Sequence, residues 1–255
     1  MKDLGKGIIC VAAVMVVSLI ITVVRFRTPM PEGAIPLGDV VSYCIGDVTN
    51  DGISELLVIS GDGETDTGER HGQLLLVCEA SAENDLLHSL GYIPSEKVQH
   101  SIDLADIKPM KVQIGDINGD GTNEVAICVY KTAEFHPVMA KRPFFFDLVE
   151  GNLIPVWLGS RLSRPFDDYV LFDVNADGID EIVSIEQLEN GNRVVAVYEW
   201  KGFGFEVLRD LGELEGEARF DFDTPWAAGT TTEIGVILNN SERNRIAFST
   251  GNNEG

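Results

Sequence analysis

Three short segments of the sequence carry oxygen-bearing side chains at the same spacing. They read DVTNDGISE at 47–55, DINGDGTNE at 116–124 and DVNADGIDE at 173–181, and we call them loops 1, 2 and 3. Each has Asp at position 1, Asp at position 5, Gly at position 6 and Glu at position 9, with Asn or Thr at position 3. A segment that recurs with its spacing intact predicts a repeated structural unit.

The residue types in these loops are those that bind calcium. Calcium takes about six to eight oxygen ligands in a flexible geometry. On a tight loop, alternate residues turn their side chains towards one centre, so positions 1, 3 and 5 converge, and glycine at position 6 permits the sharp bend. An EF-hand is excluded because position 12, which is Val58, Ile127 or Ser184, is not Glu. The alternative to a calcium site is a solvated turn whose Asp and Asn side chains bond their own backbone.

Apolar, β-branched runs flank each loop and predict strands. The loops are preceded by VVSYCIG, KVQIG and YVLF, and the final Glu leads into LLVIS, VAICVY or IVSIE. Such runs are typical of strands that are buried on both faces. Hairpins are predicted next, across GQLLLVCEA and DLLHSLGYI, across the turn at 150–152 and across the turn at 201–204.

Four strands per repeat is the number in one blade of a β-propeller. A further strand signature, IGVIL, follows Glu233, so the sequence predicts four blades. We therefore expect an all-β fold: a small propeller over residues 40–255, preceded by a short linker at 28–39. The strands that begin at Glu124 and Glu181 should be among the innermost or most buried. Because the loops belong to different blades, we expect changes in one loop to act independently of another.

The repeated unit of strand, D-x-N-x-D-G-x-x-E loop and strand resembles the FG-GAP (VCBS-type) repeats of integrin α-subunit propellers and related bacterial surface proteins. The resemblance covers residues 40–250 loosely and the three loops closely. It implies that position 7 offers its backbone carbonyl to calcium and position 9 its carboxylate. Seven blades are typical of that family, so both a small closed propeller and an arc completed by a partner chain are open. The implied calcium ligands are Asp47, Thr49, Asp51, Ile53 and Glu55 in loop 1, Asp116, Asn118, Asp120, Thr122 and Glu124 in loop 2, and Asp173, Asn175, Asp177, Ile179 and Glu181 in loop 3.

The N-terminal segment predicts attachment to a membrane. Residues 8–24 are 17 consecutive uncharged residues with basic residues on both sides. This length is at the lower end for a membrane-spanning helix, and no small-x-small cleavage site follows it. We expect residues 1–27 to be an uncleaved signal anchor in a single-pass membrane protein, with the propeller outside the cytoplasm, where calcium is millimolar. A cleaved secretory signal is the alternative.

The charge of the chain restricts its partners. The formal net charge is −22, and residues 1–27 hold four basic residues and one acidic residue. The remainder therefore carries 15 basic and 40 acidic side chains, which repel the phosphates of nucleic acid and attract cations. The three cysteines outside the anchor lie in apolar runs and are predicted to be buried free thiols.

Motifs for a nucleophile, a zinc centre or a phosphate cradle are missing from the sequence. We therefore expect a binding, adhesion or scaffold module for an unknown protein or glycan, and no enzyme. The alternative is a carbohydrate-active enzyme, a glycosidase or lyase, that uses carboxylates on a propeller frame. Trp226, in the divergent loop before Glu233, is a candidate ligand contact, and the acidic segment at 61–72 is predicted to be a plain loop.

Overall fold

The computed structural model describes residues 35–82, 92–159, 161–221, 231–239 and 242–249. The predicted anchor at 1–27 and the candidate ligand contact Trp226 lie outside these ranges. In the described ranges there is no helix with the length and apolar character needed to cross a membrane. The predicted linker is described from residue 35, where Ile35–Pro36 forms a short strand, β1.

The described residues form nineteen strands, numbered in chain order, and three short 3-10 helices. Blade 1 contains β2 (Val40–Gly46), β3 (Glu55–Ser60), β6 (Leu74–Glu79) and β8 (Val98–Asp103). Blade 2 contains β9 (Pro109–Gly115), β10 (Glu124–Ala133), β11 (His136–Val149) and β12 (Asn152–Leu158). Blade 3 contains β13 (Phe166–Phe172), β14 (Glu181–Gln187), β15 (Arg193–Trp200) and β16 (Phe205–Leu214). Blade 4 contains β17 (Ala218–Phe220), β18 (Thr231–Leu238) and β19 (Glu242–Ser249).

Two smaller pairs of strands complete the sheets. The first is β1 with β7 (Tyr92–Ile93), and the second is the hairpin of β4 (Gly63–Glu64) and β5 (Arg70–His71). The segment at 61–72, predicted to be a plain loop, thus contains this hairpin. The 3-10 helices are Ala80–Ala82, Ser95–Lys97 and Ala105–Ile107.

The blades are arranged as in a β-propeller, which confirms the all-β, four-bladed prediction. Their strands are antiparallel, and the first strands lie side by side: β2 contacts β9, β9 contacts β13, and β13 contacts β17. The first strands are therefore innermost. The second strands are the most buried, since every residue of Glu124–Tyr130 and of Glu181–Glu186 is buried. The prediction for these two strands is confirmed for burial, whereas β9 and β13 hold the innermost positions.

The core lies between the blades because the second and third strands are apolar on both faces. Successive residues of a strand point to opposite faces. In β10, Ile127 packs in the cluster between blades 1 and 2, and Cys128 packs in the cluster between blades 2 and 3. A third cluster joins blades 3 and 4, and a fourth lies on the outer face of blade 1, beneath the β1–β7 pair. Cys44, Cys78 and Cys128 are free thiols, and the last two are buried.

One predicted hairpin is wrong. The third strand of blade 1, β6, pairs with β8 (VQHSID, 98–103) and not with DLLHSLGYI at 85–93. Residues 92–93 pair with β1 instead. The outer strand of a blade needs only one apolar face, and β8 alternates between half-buried and exposed residues, so its sequence is less apolar than that of residues 85–93. The predicted hairpins at 150–152 and 201–204 are confirmed as the β11–β12 and β15–β16 connections.

Candidate metal sites in the acidic loops

Each acidic loop joins the first strand of a blade to the second strand. The Glu at position 9 is the first residue of the second strand and lies opposite the last residue of the first strand. The opposed residues are Gly46 and Glu55, Gly115 and Glu124, and Phe172 and Glu181. Because the first strands are neighbours, the three loops lie at the same end of adjacent innermost strands.

The glutamate at position 9 is buried and bonded to the start of its own loop. Glu124 has no exposed surface. Its Oε2 accepts the N–H of Ile117 at 3.0 Å, and its Oε1 accepts Nδ2 of Asn118 at 2.6 Å. The equivalent distances in loop 3 are 3.0 and 3.2 Å. The side chains predicted at positions 3 and 9 are therefore brought together.

Loop 1 makes the same closure with a different residue at position 3. Glu55 Oε2 accepts the N–H groups of Val48 and Thr49 at 3.1 and 3.3 Å, and its Oε1 accepts the Thr49 hydroxyl at 3.3 Å. The residue at position 2 is a feature that sequence reasoning missed. It is aliphatic and buried in all three loops, as Val48, Ile117 and Val174, and an apolar residue between two polar ones was the signal.

The aspartates at positions 1 and 5 face N–H groups within the loop. In loop 2, Asp116 Oδ2 accepts the N–H of Gly121 and Asp120 Oδ1 accepts the N–H of Thr122, both at 2.9 Å. The other loops repeat this pattern at 2.8–2.9 Å. The backbone N–H donor and the Asp carboxylate acceptor are Gly52 and Asp47, Ile53 and Asp51, Gly178 and Asp173, and Ile179 and Asp177. An ionised carboxylate has about four acceptor positions, so these contacts leave lone pairs for a ligand.

The backbone explains the glycine at position 6. Gly121 has φ of 83° and open space where a side chain would stand, so the left-handed conformation is what requires glycine there. The residue at position 4 is also left-handed, even in loop 3, where it is Ala176 and not glycine and has φ of 63°. Two left-handed residues two positions apart produce the tight turn of each loop.

The carboxylates of one loop act on one another electrostatically. The pKa of Glu124 is raised to about 7 by burial and, to a smaller extent, by Asp120 and Asp116, while the hydrogen bond from the N–H of Ile117 opposes the shift. The pKa of Glu181 is also raised to about 7, by burial and then by Asp177 and Asp173 in loop 3. Each of these glutamates therefore resists ionisation beside two other carboxylates.

The donor set fits calcium in chemistry. Its side chains are carboxylates with one amide or hydroxyl, which suit a hard cation, whereas zinc prefers nitrogen and sulfur. Within the described ranges, no group of three or more His, Cys, Asp or Glu side chains is arranged to hold a metal ion. The loop oxygens instead accept backbone N–H groups, and their mutual repulsion is the feature that a cation would relieve.

Carboxylates at the opposite end of the same strands are neutralised differently. An ion-pair cluster there joins blades 1, 2 and 3, and it borders cavities of about 300 and 380 Å³ that share two lining residues, Lys141 and Asp167. Sequence reasoning missed this cluster because its members, from residues 69 to 193, meet only when the blades assemble. The pairs are Lys111 with Asp168 at 2.8 Å, Lys141 with Glu69, and Arg193 with Asp167.

A further cavity of about 650 Å³ lies between blades 1 and 2. Its walls include Leu104, Phe144 and Leu153, together with Phe135, whose side chain is 89% exposed. One carboxylate, that of Glu134, is among its lining residues. The cavity is therefore a mainly apolar recess, and no residue of the three acidic loops lines it.

No protein-family model matches the chain, and no curated protein matches it significantly. The resemblance to the FG-GAP repeats therefore continues to depend on the three loops and on the strands that flank them.

Proposed function

We propose that this protein is a calcium-binding β-propeller of the FG-GAP (VCBS) type that acts as a binding, adhesion or scaffold module. Its N-terminal segment anchors it in a membrane, with the propeller on the extracytoplasmic side. The observation that supports the proposal is one turn repeated in three neighbouring blades, in which two Asp carboxylates accept N–H groups of their own loop and a buried Glu closes the loop. In loop 2, burial and then the charges of Asp120 and Asp116 raise the pKa of Glu124 to about 7.

The residues that would hold calcium in loop 2 are Asp116, Asn118, Asp120 and Glu124, with the backbone carbonyl of Thr122. The same positions would serve in loops 1 and 3. A divalent cation bound there supplies the positive charge that these loops lack. The protein's own part is to hold the loop in its tight turn, through the N–H groups that the carboxylates accept and through the buried side chain at position 2.

The positions of the other carboxylates favour a binding module over a hydrolase. Glycoside hydrolysis requires two carboxyl groups that flank the bond to be cleaved. Asp167 and Asp168 are held against Arg193 and Lys111, and the apolar cavity between blades 1 and 2 offers Glu134 alone. The carbohydrate-active enzyme is therefore the second candidate, and a protein or glycan ligand is the expected partner.

A calcium-dependent capture experiment tests this function. The full chain, solubilised from its membrane, is used as bait in about 1 mM calcium and in EGTA. The bait is compared with Asp120→Asn/Asp177→Asn, which should lose the calcium-dependent partner. Glu206→Gln/Glu215→Gln is the matched control, because it removes the same charge from exposed residues outside the loops. Partner sets that are identical with calcium, with EGTA and with both variants would contradict the proposal.

A second experiment tests the topology. Protease added to intact cells should remove the propeller, and it should do so more slowly in calcium than in EGTA. Full protection of the propeller in sealed cells, with digestion after lysis, would contradict the extracytoplasmic placement.

A further inference from the structure

The three acidic loops contact one another through the residue at position 8. In loop 2 this residue is Asn123, and it reaches back to loop 1. Its Nδ2 donates to the backbone oxygen of Asp47 at 2.7 Å, and its N–H donates to Oδ1 of Asn50 at 2.7 Å. Position 8 of loop 2, next to the buried Glu124, is thus fixed to the residue at position 1 of loop 1.

The next pair of loops is joined in the same direction. In loop 3 the residue at position 8 is Asp180, and its N–H donates to the backbone oxygen of Asp116 at 2.7 Å. The side chain of Ile179 also packs against Gly119 of loop 2. A side chain at position 119 would collide with it, since a Cβ there would be only 2.6 Å from Cδ1 of Ile179. The carboxylate of Asp180 lies against Gly115, where an added Cβ would be 2.3 Å from its Oδ2.

The two junctions share one acceptor. In each, the residue before the Glu at position 9 donates a hydrogen bond to the backbone carbonyl of the Asp at position 1, from the side chain of Asn123 in one junction and from the backbone N–H of Asp180 in the other. Both of these acidic residues belong to the calcium ligands assigned above. A cation that fixes positions 1 and 9 of one loop would therefore also fix the link to its neighbour.

We propose that Asn123 and Asp180 are positioning residues that couple the three loops, so that calcium bound in one loop raises the affinity of the next. The inference rests on the proposed calcium function. Coupling between neighbouring sites commonly changes an affinity by about fivefold or more. We therefore expect the loss of calcium from loop 1 to weaken loop 2 by about fivefold, and loop 3 by less.

The glycine at position 6 of each loop provides a separate reporter. The N–H groups of Gly52, Gly121 and Gly178 each donate to the Asp at position 1 of their own loop. Calcium alone is titrated into the full chain, and the amide NMR signals of these three residues are followed. The midpoint of each signal then gives the affinity of one loop.

Silencing loop 1 tests the coupling. In Asp51→Asn, the midpoint of Gly121 should move to about fivefold higher calcium. The shift should vanish when Asn50→Gly and Asn123→Ala are added, since these changes remove all three hydrogen bonds of the junction. Glycine suits the left-handed backbone of Asn50, whose φ is 59°. Ser54→Ala is the matched control, because Ser54 is exposed and holds position 8 in loop 1, so the shift should persist.

The outcomes separate the coupling from the calcium function. If Asp51→Asn leaves the midpoint of Gly121 unmoved, or if the shift survives the loss of the junction, the coupling is wrong while the calcium function stands. If calcium moves none of the three glycine signals, the calcium function is wrong and the coupling falls with it. Asn123→Asp replaces Asn123→Ala if the latter does not fold, because it keeps the size of the side chain without the Nδ2 donor.

Discussion

The two ends of strand β13 neutralise carboxylates in opposite ways. At its start, Asp167 and Asp168 lie against Arg193 and Lys111. Beyond its other end, the carboxylates of loop 3 accept backbone N–H groups, and burial together with Asp177 and Asp173 raises the pKa of Glu181 to about 7. The protein supplies its own cations at the first end. At the second end the loop carboxylates have no basic side chain paired with them in the contacts described above, and an external cation would neutralise them.

Removal of calcium is expected to give the largest effect, and it should act through the loops. With Kd near 0.1 mM and calcium near 1 mM, one site stabilises the native state by about 1.4 kcal/mol, and three sites by about 4 kcal/mol. For a chain of this size, that is a fall of about 10 °C in Tm on chelation. Thermal melts of the full chain in calcium and in EGTA, with magnesium as the control cation, measure it. Identical melting curves in calcium and in EGTA would mean that the acidic loops bind no stabilising cation, and the proposed difference between the two ends of the strands would be wrong.

Removal of a buried loop glutamate should give the next largest effect. Glu124→Ala leaves the buried N–H of Ile117 without its acceptor and should cost about 2–3 kcal/mol in EGTA. Glu124→Gln keeps an oxygen at the same place, so it should cost less in EGTA yet lose at least a third of the calcium response. Urea unfolding in both buffers measures these values. A full calcium response in Glu124→Gln would show that this carboxylate is not a ligand.

The pH dependence of stability should differ with calcium. In the calcium-free protein the pKa of Glu124 and of Glu181 is about 7, above the ordinary value of 4.5. The protonated form is therefore favoured by folding. This contribution is complete below about pH 4.5 and is lost as the pH rises through 7. In EGTA, Tm should be lower at pH 8 than at pH 5.5 for this reason.

Saturating calcium should weaken or reverse this pH trend, since the bound cation favours the ionised carboxylates. The double variant Glu124→Gln/Glu181→Gln is the control and should flatten the trend in EGTA. Equal pH profiles for the parent chain and this variant in EGTA would mean that the two glutamates do not govern the dependence.

Removal of a pair from the ion-pair cluster should give the smallest effect. Lys111 and Asp168 retain about a fifth to a third of their side-chain exposure, so Asp168→Asn should cost about 1 kcal/mol or less. The loss should shrink as salt is added, because partly exposed pairs are screened. Denaturant unfolding at low and high salt measures it, with and without calcium. A calcium-dependent loss in Asp168→Asn would mean that the two ends are not separate.

Contiguous sequence predicted the parts of the fold that depend on local residues. Each acidic loop sets its own turn through the glycine at position 6, and the apolar run after Glu124 or Glu181 requires burial on both faces. The same local signal placed the two hairpins of blades 2 and 3. These features could be found because every residue that matters lies within about ten positions of the loop.

Features that depend on the assembled blades could not be predicted in this way. Strand β8 is an outer strand with only one apolar face, so its sequence predicts a strand less strongly than the more apolar residues 85–93 do. Asn123 contacts Asp47, which is 76 residues away in sequence, and the pattern gave position 8 no role. The ion pair of Lys141 with Glu69 likewise joins two blades. Glu124 was assigned through a resemblance, and the structure adds that it closes the loop from a buried position.

The number of calcium ions bound per chain tests the central claim most directly. Equilibrium dialysis of the full chain against calcium, followed by elemental analysis, should reach about three ions per chain, with Kd values between about 0.01 and 1 mM. The triple variant Asp51→Asn/Asp120→Asn/Asp177→Asn should abolish the binding. A chain that binds no calcium up to about 10 mM, or a triple variant that binds as much as the parent chain, would show that the acidic loops are turns and not metal sites.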